Sequence, residues 1–345
     1  MATAHPFPPP LTPMEARVRE RLPSDGAWAY EPKWDGFRAL AWSAPDVRLD
    51  SRKQRPLLRY LPELTGAVEA LPPGTVVDGE VVVVIDGQLH FDALQQRIHP
   101  AESRIARLAA ETPAGLVAFD LLAWRGEDLR QAPFQERRER LVELAGNLPR
   151  PWHLTPSTTE IDRAEDWFDR FESAGCDGIV AKRATDRYQP ATRAMVKVKH
   201  RRHVNTVIGG YRLHKEGDRV GSLLLGLYDK DELAFVGHCA SLSDADRIAL
   251  LETLRPLEAD EGFGQAVRRP GEPSRWTGDK DLSWVPLRPE LVAEVSYDQL
   301  TGHRFRHAAR LERWRADVDP PTCTFGQLAT PAGPAFDEVI AAAER

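Results

Sequence analysis

Residues 31–38, Glu-Pro-Lys-Trp-Asp-Gly-Phe-Arg (EPKWDGFR), place a lysine between a predicted strand and a turn. The preceding stretch, 28–31 (WAYE), has strand character, and the pair Asp35-Gly36 favours a turn. Lys33 is therefore predicted at a strand end, where it is held more rigidly than on a surface helix. A lysine attacks carbon or phosphorus only as the neutral amine. Four cations are expected to lower the Lys33 pKa by repulsion if they converge on it: Arg38, Lys182, Lys197 and Lys199.

The first 200 residues mix predicted strands and helices without a repeating strand–helix–strand period. The predicted strands are 28–31, 37–42, 75–78, 81–85 and 116–122. The predicted helices are 63–70, 91–97, 103–111, 134–144 and 161–174. The sequence VDGE at 77–80 is expected to turn between two strands. This pattern favours an α+β fold over a doubly wound sheet.

After about residue 203 the sequence changes to short strands. They are predicted at 204–211, 221–228, 233–238 and 291–297, with a helix near 245–254. Short strands with a single helix are typical of a small Greek-key barrel. We therefore predict a first domain at 1–203, a second at 204–320, and a Pro/Ala-rich peripheral tail at 321–345.

Charge is distributed unevenly along the chain. The net charge is −6, from 46 basic and 52 acidic residues. Residues 182–203, however, carry eight Lys/Arg and one Asp, a local charge of +7, and residues 301–315 carry +4. Basic segments on an acidic chain suit a phosphate-rich partner bound at particular faces, although a solvated face is the simpler explanation for any one of them.

Nothing in the composition indicates a membrane or secreted protein. The longest aliphatic run, 81–85 (VVVVI), is far shorter than the ~20 apolar residues of a membrane span. Residues 6–10 (PFPPP) predict an extended arm and not a signal peptide. The three cysteines lie far apart in the sequence, which favours a reducing, cytosolic setting.

Several common nucleotide and hydrolase motifs are absent from the sequence. There is no GxxxxGK[ST] loop, no HExxH and no GxSxG, and the one GxG, at 262–264, lacks the third glycine of a dinucleotide-binding fingerprint.

Further short motifs follow the octapeptide in order along the chain. They are DSR at 50–52, VDGE at 77–80, AFD at 118–120, DGIVAK at 177–182 and MVKVK at 195–199. In the last, the two lysines lie two residues apart and so share one face of a strand, which calls for an anion opposite them. Each motif is weak alone; the set, in this order, is specific.

This set resembles the motifs of ATP-dependent DNA ligases in the covalent nucleotidyltransferase superfamily, which also contains mRNA capping enzymes and RNA ligases. The chain is most similar to the small two-domain bacterial C-type ligases and to the ligase module of bacterial end-joining ligases. The resemblance spans about residues 10–320 and includes FDALQQR at 91–97. It implies an α+β nucleotidyltransferase domain, with ATP-grasp-like antiparallel sheets and helices, followed by an OB-fold β-barrel domain.

The resemblance also implies roles for individual residues. Lys33 would take AMP from ATP as a lysyl phosphoramidate. Glu31 would recognise the adenine amino group, Phe119 would stack on the base, and Glu80 would contact the ribose. Phosphate contacts are implied for five cations: Arg38 and Arg52 on the nucleotide or the nick phosphate, Lys197 and Lys199 on the α-phosphate, and Lys182 as a lesser candidate.

Two further groups are implied by the resemblance. Glu80 and Asp177 would help to hold Mg²⁺ or Mn²⁺, which carboxylate oxygens suit. In the barrel, Arg315 and Asp317 of RWRAD (313–317) would orient the departing pyrophosphate. The sequence departs from the family pattern where Asp177 replaces the usual Glu and where Val318 stands in place of a common Lys.

The implied reaction seals a nick in double-stranded DNA in three phosphoryl-transfer steps. The barrel would close over ATP and then rotate onto the duplex, hinged near 203–205. DNA contacts would be sequence-independent and salt-sensitive. We expect a cytoplasmic monomer at the bacterial nucleoid, without the extra N-terminal DNA-clasping domain of larger ligases. Its modest nick affinity would be offset by a partner such as a gap-filling repair polymerase.

Three alternatives remain at this point. An RNA ligase or a capping-type nucleotidyltransferase of the same superfamily would share most of the motifs. An inactive nucleotide- or DNA-binding module would keep the fold without the chemistry. An enzyme that acts on phosphorylated metabolites would need no polymer partner. The +7 segment disfavours this alternative, because it suits a partner with many phosphates.

Overall fold

The computed structural model of the chain describes residues 3–264, 270–271, 282–328 and 333–344. It contains two compact units, one formed by 1–200 with 331–345 and the other by 201–330. The domain boundary predicted after residue 203 lies close to the edge of the first unit. The predicted tail, 321–345, is divided between the two units.

The first unit combines two β-sheets with helices. Its strands are β1 (Ala16–Val18), β2 (Trp28–Pro32), β3 (Phe37–Trp42), β4 (Arg48–Ser51), β5 (Val76–Ile85), β6 (Gln88–Leu89), β7 (Ala114–Trp124), β8 (Glu127–Asp128), β9 (Trp152–Leu154), β10 (Gly178–Arg183) and β11 (Met195–Lys199). Its first helices are α1 (Thr65–Glu69), α2 (Phe91–Gln96), α3 (Glu102–Glu111), α4 (Phe134–Ala145) and α5 (Ile161–Phe171), with a short 3₁₀ turn at Pro62–Leu64.

The smaller sheet has the order β1-β11-β10-β2 and the larger sheet has the order β4-β3-β5-β7-β8. Pairing is antiparallel except between β1 and β11 and between β7 and β9, which are parallel. α5 covers the smaller sheet because Ala164, Trp167 and Phe171 recur at helical spacing on one face and are buried. The predicted α+β class is confirmed.

Strand β5 corrects one prediction. The VDGE sequence does not turn: residues 76–85 form one continuous strand between β3 and β7. The pairing with β7 shifts register between Asp78 and Gly79, as in a β-bulge. A Cβ at Gly79 would lie 2.7 Å from the Val117 carbonyl oxygen, so glycine lets β7 approach closely. The Asp-Gly pair, a turn signal in isolation, marks a bulge here.

The second unit is a β-barrel. Its strands are β12 (Arg202–Leu213), β13 (Val220–Asp229), β14 (Glu232–Cys239), β15 (Val285–Pro286), β16 (Val292–Tyr297), β17 (Leu300–Thr301), β18 (Arg304–Phe305) and β19 (Arg310–Trp314), and α6 (Asp244–Leu254) follows β14. The main sheet has the order β14-β13-β12-β16-β19. A parallel bridge from Cys239 to Ala309 closes it, and the Ala309 amide donates to the His238 carbonyl at 2.9 Å. This arrangement agrees with the predicted OB-fold.

The end of the chain returns to the first unit. α7 (Phe336–Ile340) buries Phe336 and Val339 in the core that contains Trp34 and Trp167. The expectation of a peripheral tail is therefore wrong for this part, because two apolar side chains on one helical face outweigh a Pro/Ala-rich composition. Within the described ranges, no helix is long and apolar enough to cross a membrane.

Candidate active site

The backbone around Lys33 is fixed by its neighbours in the fold. Lys33 follows β2 directly; its amide donates to the Gly178 carbonyl and its carbonyl accepts from the Asp177 amide, both at 2.8 Å. Gly178 has a φ of +130°, and a Cβ there would lie 2.0 Å from the Val198 carbonyl oxygen. Only glycine fits this position, which brings the DGIVAK and MVKVK motifs beside the lysine.

Lys33 lies in a cavity of the first unit. Eight of the predicted site residues line this cavity: Glu31, Lys33, Arg38, Arg52, Glu80, Phe119, Lys182 and Lys197. Other residues in its wall, among them Glu15, Trp34 and Met195, were not predicted. Glu15 directly precedes β1, in a stretch of sequence that contains no recognisable motif, so the sequence alone did not indicate it.

The amine of Lys33 forms an ion pair. Lys33 Nζ lies 2.8 Å from Asp177 Oδ2, and Lys199 Nζ lies 2.8 Å from the same oxygen. Burial alone lowers the Lys33 pKa, but the carboxylates of Asp177, Glu80 and Asp35 outweigh it and raise the pKa above the ordinary value. The expected lowering of the Lys33 pKa by cations is therefore wrong for the free protein: Lys33 is an ammonium group held by a carboxylate.

The pKa values of Asp177 and Lys197 are also shifted by burial and by neighbouring charges. Burial raises the pKa of Asp177, but Lys33 and Lys199 bring it below its ordinary value. Burial and then the neighbouring lysines lower the pKa of Lys197, which makes no ion pair with any described residue. Lys197 thus lines the cavity without a direct ion pair to any described residue, although Asp177 acts on it from a distance, and this leaves its charge available to a phosphate.

Glu80 behaves as a neutral acid near neutral pH. Burial raises its pKa to about 8, although Lys33 and Arg38 act in the opposite direction. The native protein therefore holds a proton that the unfolded chain releases between about pH 4.5 and 8, and this group makes folding less favourable as pH rises through that window.

We expect Glu80→Gln to remove this pH dependence. Between pH 5 and pH 8.5, the difference in free energy of unfolding between variant and wild type should change by about 4 kcal/mol in favour of the variant. Urea unfolding at both pH values measures the difference. The exposed Glu102→Gln is the matched control and should show no pH-dependent difference. An equal effect of Glu80→Gln at the two pH values would contradict the raised pKa.

One wall of the cavity carries a buried ion pair with an unpartnered oxygen. Glu31 Oε2 lies 2.8 Å from Lys182 Nζ, which also donates to the Phe119 carbonyl at 2.6 Å and lies 4.8 Å from the Phe119 ring centroid. Glu31 Oε1 is buried and has no hydrogen-bond partner among the described residues. A buried carboxylate oxygen of this kind calls for a donor from a ligand.

Arg38 is held by a network of which the sequence indicated only part. Its guanidinium makes two hydrogen bonds to Asp78, at 3.0 and 2.6 Å, and lies over the Phe119 ring. Tyr188 donates to Asp78 at 2.7 Å and accepts from the Met14 amide at 2.9 Å. Asp78 belongs to the VDGE motif, whereas Tyr188 belongs to no motif and was not predicted.

The remaining predicted site residues lie outside this inner cluster. Arg52 is exposed at the mouth of the cavity, 4.0 Å from Glu15. Arg315 and Asp317 belong to the second unit, where they form two hydrogen bonds of 2.8 Å with each other. Arg315 also donates to Glu294 at 3.2 Å.

The predicted metal ligands, Glu80 and Asp177, both lie near Lys33. No group of three or more His, Cys, Asp or Glu in the described part of the chain could hold an ion unaided. Asp177 pairs with the Lys33 ammonium at 2.8 Å, and Glu80, which lines the cavity, acts electrostatically on the same ammonium, so both side chains lie near Lys33. Mg²⁺ commonly binds through one or two carboxylates with substrate phosphates and water, and the two side chains fit that pattern.

Comparison with known proteins gives the family. A sequence model described as the ATP dependent DNA ligase domain matches residues 11–199, and one described as the ATP dependent DNA ligase C terminal region matches residues 216–318. The chain belongs to the ATP-dependent DNA ligase family. This ligase therefore acts on DNA with ATP, and the nucleotidyltransferase and C-terminal domains predicted from the motifs are confirmed.

Two similar proteins match this ligase along nearly the whole length of both sequences. It is 46% identical to DNA ligase C of Mycobacterium tuberculosis, covering 97% of this chain and 98% of that protein. It is 48% identical to DNA ligase C1 of Mycolicibacterium smegmatis, covering 94% and 96%. The fold is shared with a solved structure of a Lig E DNA ligase, at a TM-score of 0.55. The match covers 88% of this chain and 99% of that one, with 16% sequence identity.

Proposed function

We propose that this ligase seals nicks in duplex DNA through AMP carried on Lys33. The observation that supports the proposal is the position of Lys33 Nζ: fixed at a strand end, inside a cavity, 2.8 Å from a carboxylate that also pairs with Lys199. A cation cluster with one anion is suited to a nucleophile that must approach a triphosphate.

In the first step, Lys33 Nζ attacks the α-phosphorus of ATP. A P–N bond forms, the bond from the α-phosphorus to the bridging oxygen breaks, and pyrophosphate leaves. Before the attack, Asp177, which lies within hydrogen-bond distance, takes one proton from the ammonium group and passes it to solvent, so that Lys33 is the neutral amine. The second proton, released from nitrogen as the P–N bond forms, leaves with the pyrophosphate. The 5′-phosphate at the nick then displaces Lys33 from the AMP, and the neighbouring 3′-hydroxyl displaces AMP to form the phosphodiester.

Adenine recognition is proposed for the wall that carries Glu31. The unpartnered Oε1 of Glu31 would accept a hydrogen bond from the adenine amino group. Phe119 would stack on the base, since its ring lines the cavity, and Lys182 would hold both residues in place. Glu80 would contact the ribose, as the resemblance implies.

Phosphate contacts are proposed for the cations of the cavity. Lys197 and Lys199 would neutralise charge that develops on the α-phosphate. Arg38 and Arg52 would contact the nucleotide or the nick phosphate, and Arg52 is the more exposed of the two. Arg315 and Asp317 would orient the departing pyrophosphate, and 204–320 would act as the separate domain that carries them.

Glu80 and Asp177 would hold a divalent cation, Mg²⁺ or Mn²⁺. When bound, such a cation supplies Lewis-acid neutralisation of phosphate charge. A bound cation would also favour the ionised form of Glu80 over the protonated form found in its absence.

The cellular role is proposed from relatives. This chain is 35% identical to two M. tuberculosis proteins named multifunctional non-homologous end joining DNA repair protein LigD. The match covers 79% of this chain but only 34% of the length of those proteins. We propose a role in DNA repair at the nucleoid in the cytoplasm, as a monomer, with a gap-filling polymerase as partner. Salt-sensitive, sequence-independent binding to nicked DNA is expected.

Covalent labelling tests the proposed chemistry. Incubation with α-labelled ATP and Mg²⁺ or Mn²⁺ should leave label on the denatured protein that survives alkali and is released by acid, as a phosphoramidate is. Mass spectrometry should place AMP on Lys33. Label from GTP in place of ATP would favour a capping-type enzyme, and AMP on a different residue would overturn the assignment.

A further inference from the structure

The last described segment of the chain, 333–344, completes the core next to Lys33. The family matches cover 11–199 and 216–318, so this segment lies beyond both. It nevertheless belongs to the first unit, with Phe336 and Val339 only 4% and 0% exposed. A segment that follows the barrel in sequence thus supplies part of the core beneath the candidate active site.

The contact that matters is with Trp34. This residue follows Lys33 directly, lines the same cavity and is 5% exposed. Two contacts fix its indole: Nε1 donates to Thr155 Oγ1 at 2.9 Å, and the ring packs against the Phe336 ring with centroids 5.5 Å apart and an interplanar angle of 61°. Such tilted aromatic pairs are favourable and directional.

Phe336 is itself anchored on three sides. Its amide donates to the Gly87 carbonyl at 2.6 Å, and Gln88 Nε2 donates to the Pro334 carbonyl at 3.3 Å, so the segment is tied to the turn after β5. The ring of His153 packs edge-on against Phe336 at 4.9 Å. Burial, followed by repulsion from Arg150, lowers the pKa of His153 to about 4, so this ring is neutral at neutral pH.

We propose that Phe336 is a positioning residue for AMP transfer, acting on Lys33 through Trp34. The proposal rests on the proposed role of Lys33 as nucleophile. Attack on phosphorus requires the reacting atoms about 3–3.5 Å apart and in line, and a displacement of about 1 Å is costly. Trp34 shares a peptide bond with Lys33, so the ring contacts that fix the indole also fix the starting point of the lysine side chain.

The test uses the full-length chain and the rate of enzyme–AMP formation. Phe336→Ala should lower the rate at saturating ATP about tenfold. The ATP concentration for half-maximal rate should change less than about twofold, because the ring contacts of Phe336 within the described residues are to Trp34 and His153, and Phe336 does not line the cavity. Phe336→Leu, which restores most of the volume, should recover most of the rate.

Two further variants separate positioning from stability. Val339→Ala removes equally buried volume from the same helix, and we expect it to lower the melting temperature and leave the rate at saturating ATP unchanged. Thr155→Val removes the other contact on the Trp34 indole, so it should lower the same rate with ATP affinity retained. The double variant with Phe336→Ala should cost less than the product of the two single effects.

The outcomes distinguish this proposal from the proposed function. Phe336→Ala with an unchanged saturating rate, or Val339→Ala with an equal loss of rate, would overturn the role of Phe336. In that case, loss of label in Lys33→Ala would show that the proposed role of Lys33 as nucleophile holds even though Phe336 does not position it. Label retained in Lys33→Ala would instead remove the basis of both.

Discussion

Lys33→Ala is expected to abolish labelling by α-labelled ATP, with enzyme–AMP formation reduced about 10⁴-fold or more. The reason is chemical: without an amine at this point no P–N bond can form. The remaining lysines near the cavity do not compensate, because they lie on β10 and β11 and none stands at the end of β2 where Lys33 is fixed. Denaturing electrophoresis after incubation with ATP and a divalent cation measures the label.

A second substrate separates lost chemistry from lost structure. A nick whose 5′-phosphate already carries AMP needs only attack by the 3′-hydroxyl, so Lys33→Ala should seal it within about tenfold of the wild-type rate. Lys215→Ala, an exposed lysine of the second unit, is the control and should retain full labelling. Loss of sealing on the adenylated nick would indicate a damaged site, and residual labelling would indicate another nucleophile.

Much of the fold was predictable because its elements carry local signals. β3 begins and ends at the predicted residues, 37 and 42, and α5 begins at the predicted residue 161. An amphipathic period or a short apolar run with turn residues at its ends defines such elements without tertiary information. The order of the motifs then gave the family, which the comparisons confirm.

The protonation of the site could not be predicted in this way. The sequence shows the charges near Lys33 but not which of them touches it. In the fold Asp177 is within 2.8 Å of the amine, while the cations Lys197 and Lys199 lie on the next strand but one from β2. The raised Lys33 pKa follows chiefly from that contact, formed between residues far apart in sequence, with Glu80 and Asp35 acting in the same direction.

The C-terminal segment was missed for a related reason. Phe336 and Val339 are too few to give a helical period that stands out from a Pro/Ala-rich stretch. Their burial depends on a core that includes residues of β2 and α5, which exists only once the first unit has formed. Burial that depends on tertiary contacts of this kind gives no signal in the local sequence.

Asp177→Asn is the substitution expected to have the second-largest effect, a loss of about 10²- to 10³-fold in the limiting rate of AMP transfer at saturating ATP and divalent cation. The carboxylate is proposed to hold the cation and to take the proton from Lys33. The amide keeps the shape of the side chain and its hydrogen bond to Lys33 but carries no charge. Single-turnover formation of enzyme–AMP from pH 5 to pH 9 measures the loss.

The same experiment tests the proton equilibrium of Lys33. In the wild type the ion pair with Asp177 raises the Lys33 pKa, so the rate should climb about tenfold per pH unit as the neutral amine becomes available. Removing the carboxylate removes the largest contribution that raises the pKa, and leaves burial, which lowers it, opposed only by Glu80 and Asp35. The wild-type rate should therefore rise through pH 9 without levelling off, whereas the rate of the Asn variant should be lower and should level off at a lower pH.

Two matched variants complete this test. Glu172→Gln removes a carboxylate that faces His200 in the same unit, and it should leave both the rate at pH 9 and the slope of the pH profile unchanged. Asp177→Glu, which restores the charge on a longer side chain, should restore the steep rise through pH 9. A loss of rate in Asp177→Asn with the wild-type slope retained up to pH 9 would mean that Asp177 acts on the nucleotide or the cation alone, and that the ion pair seen in the free protein is broken before the proton leaves Lys33.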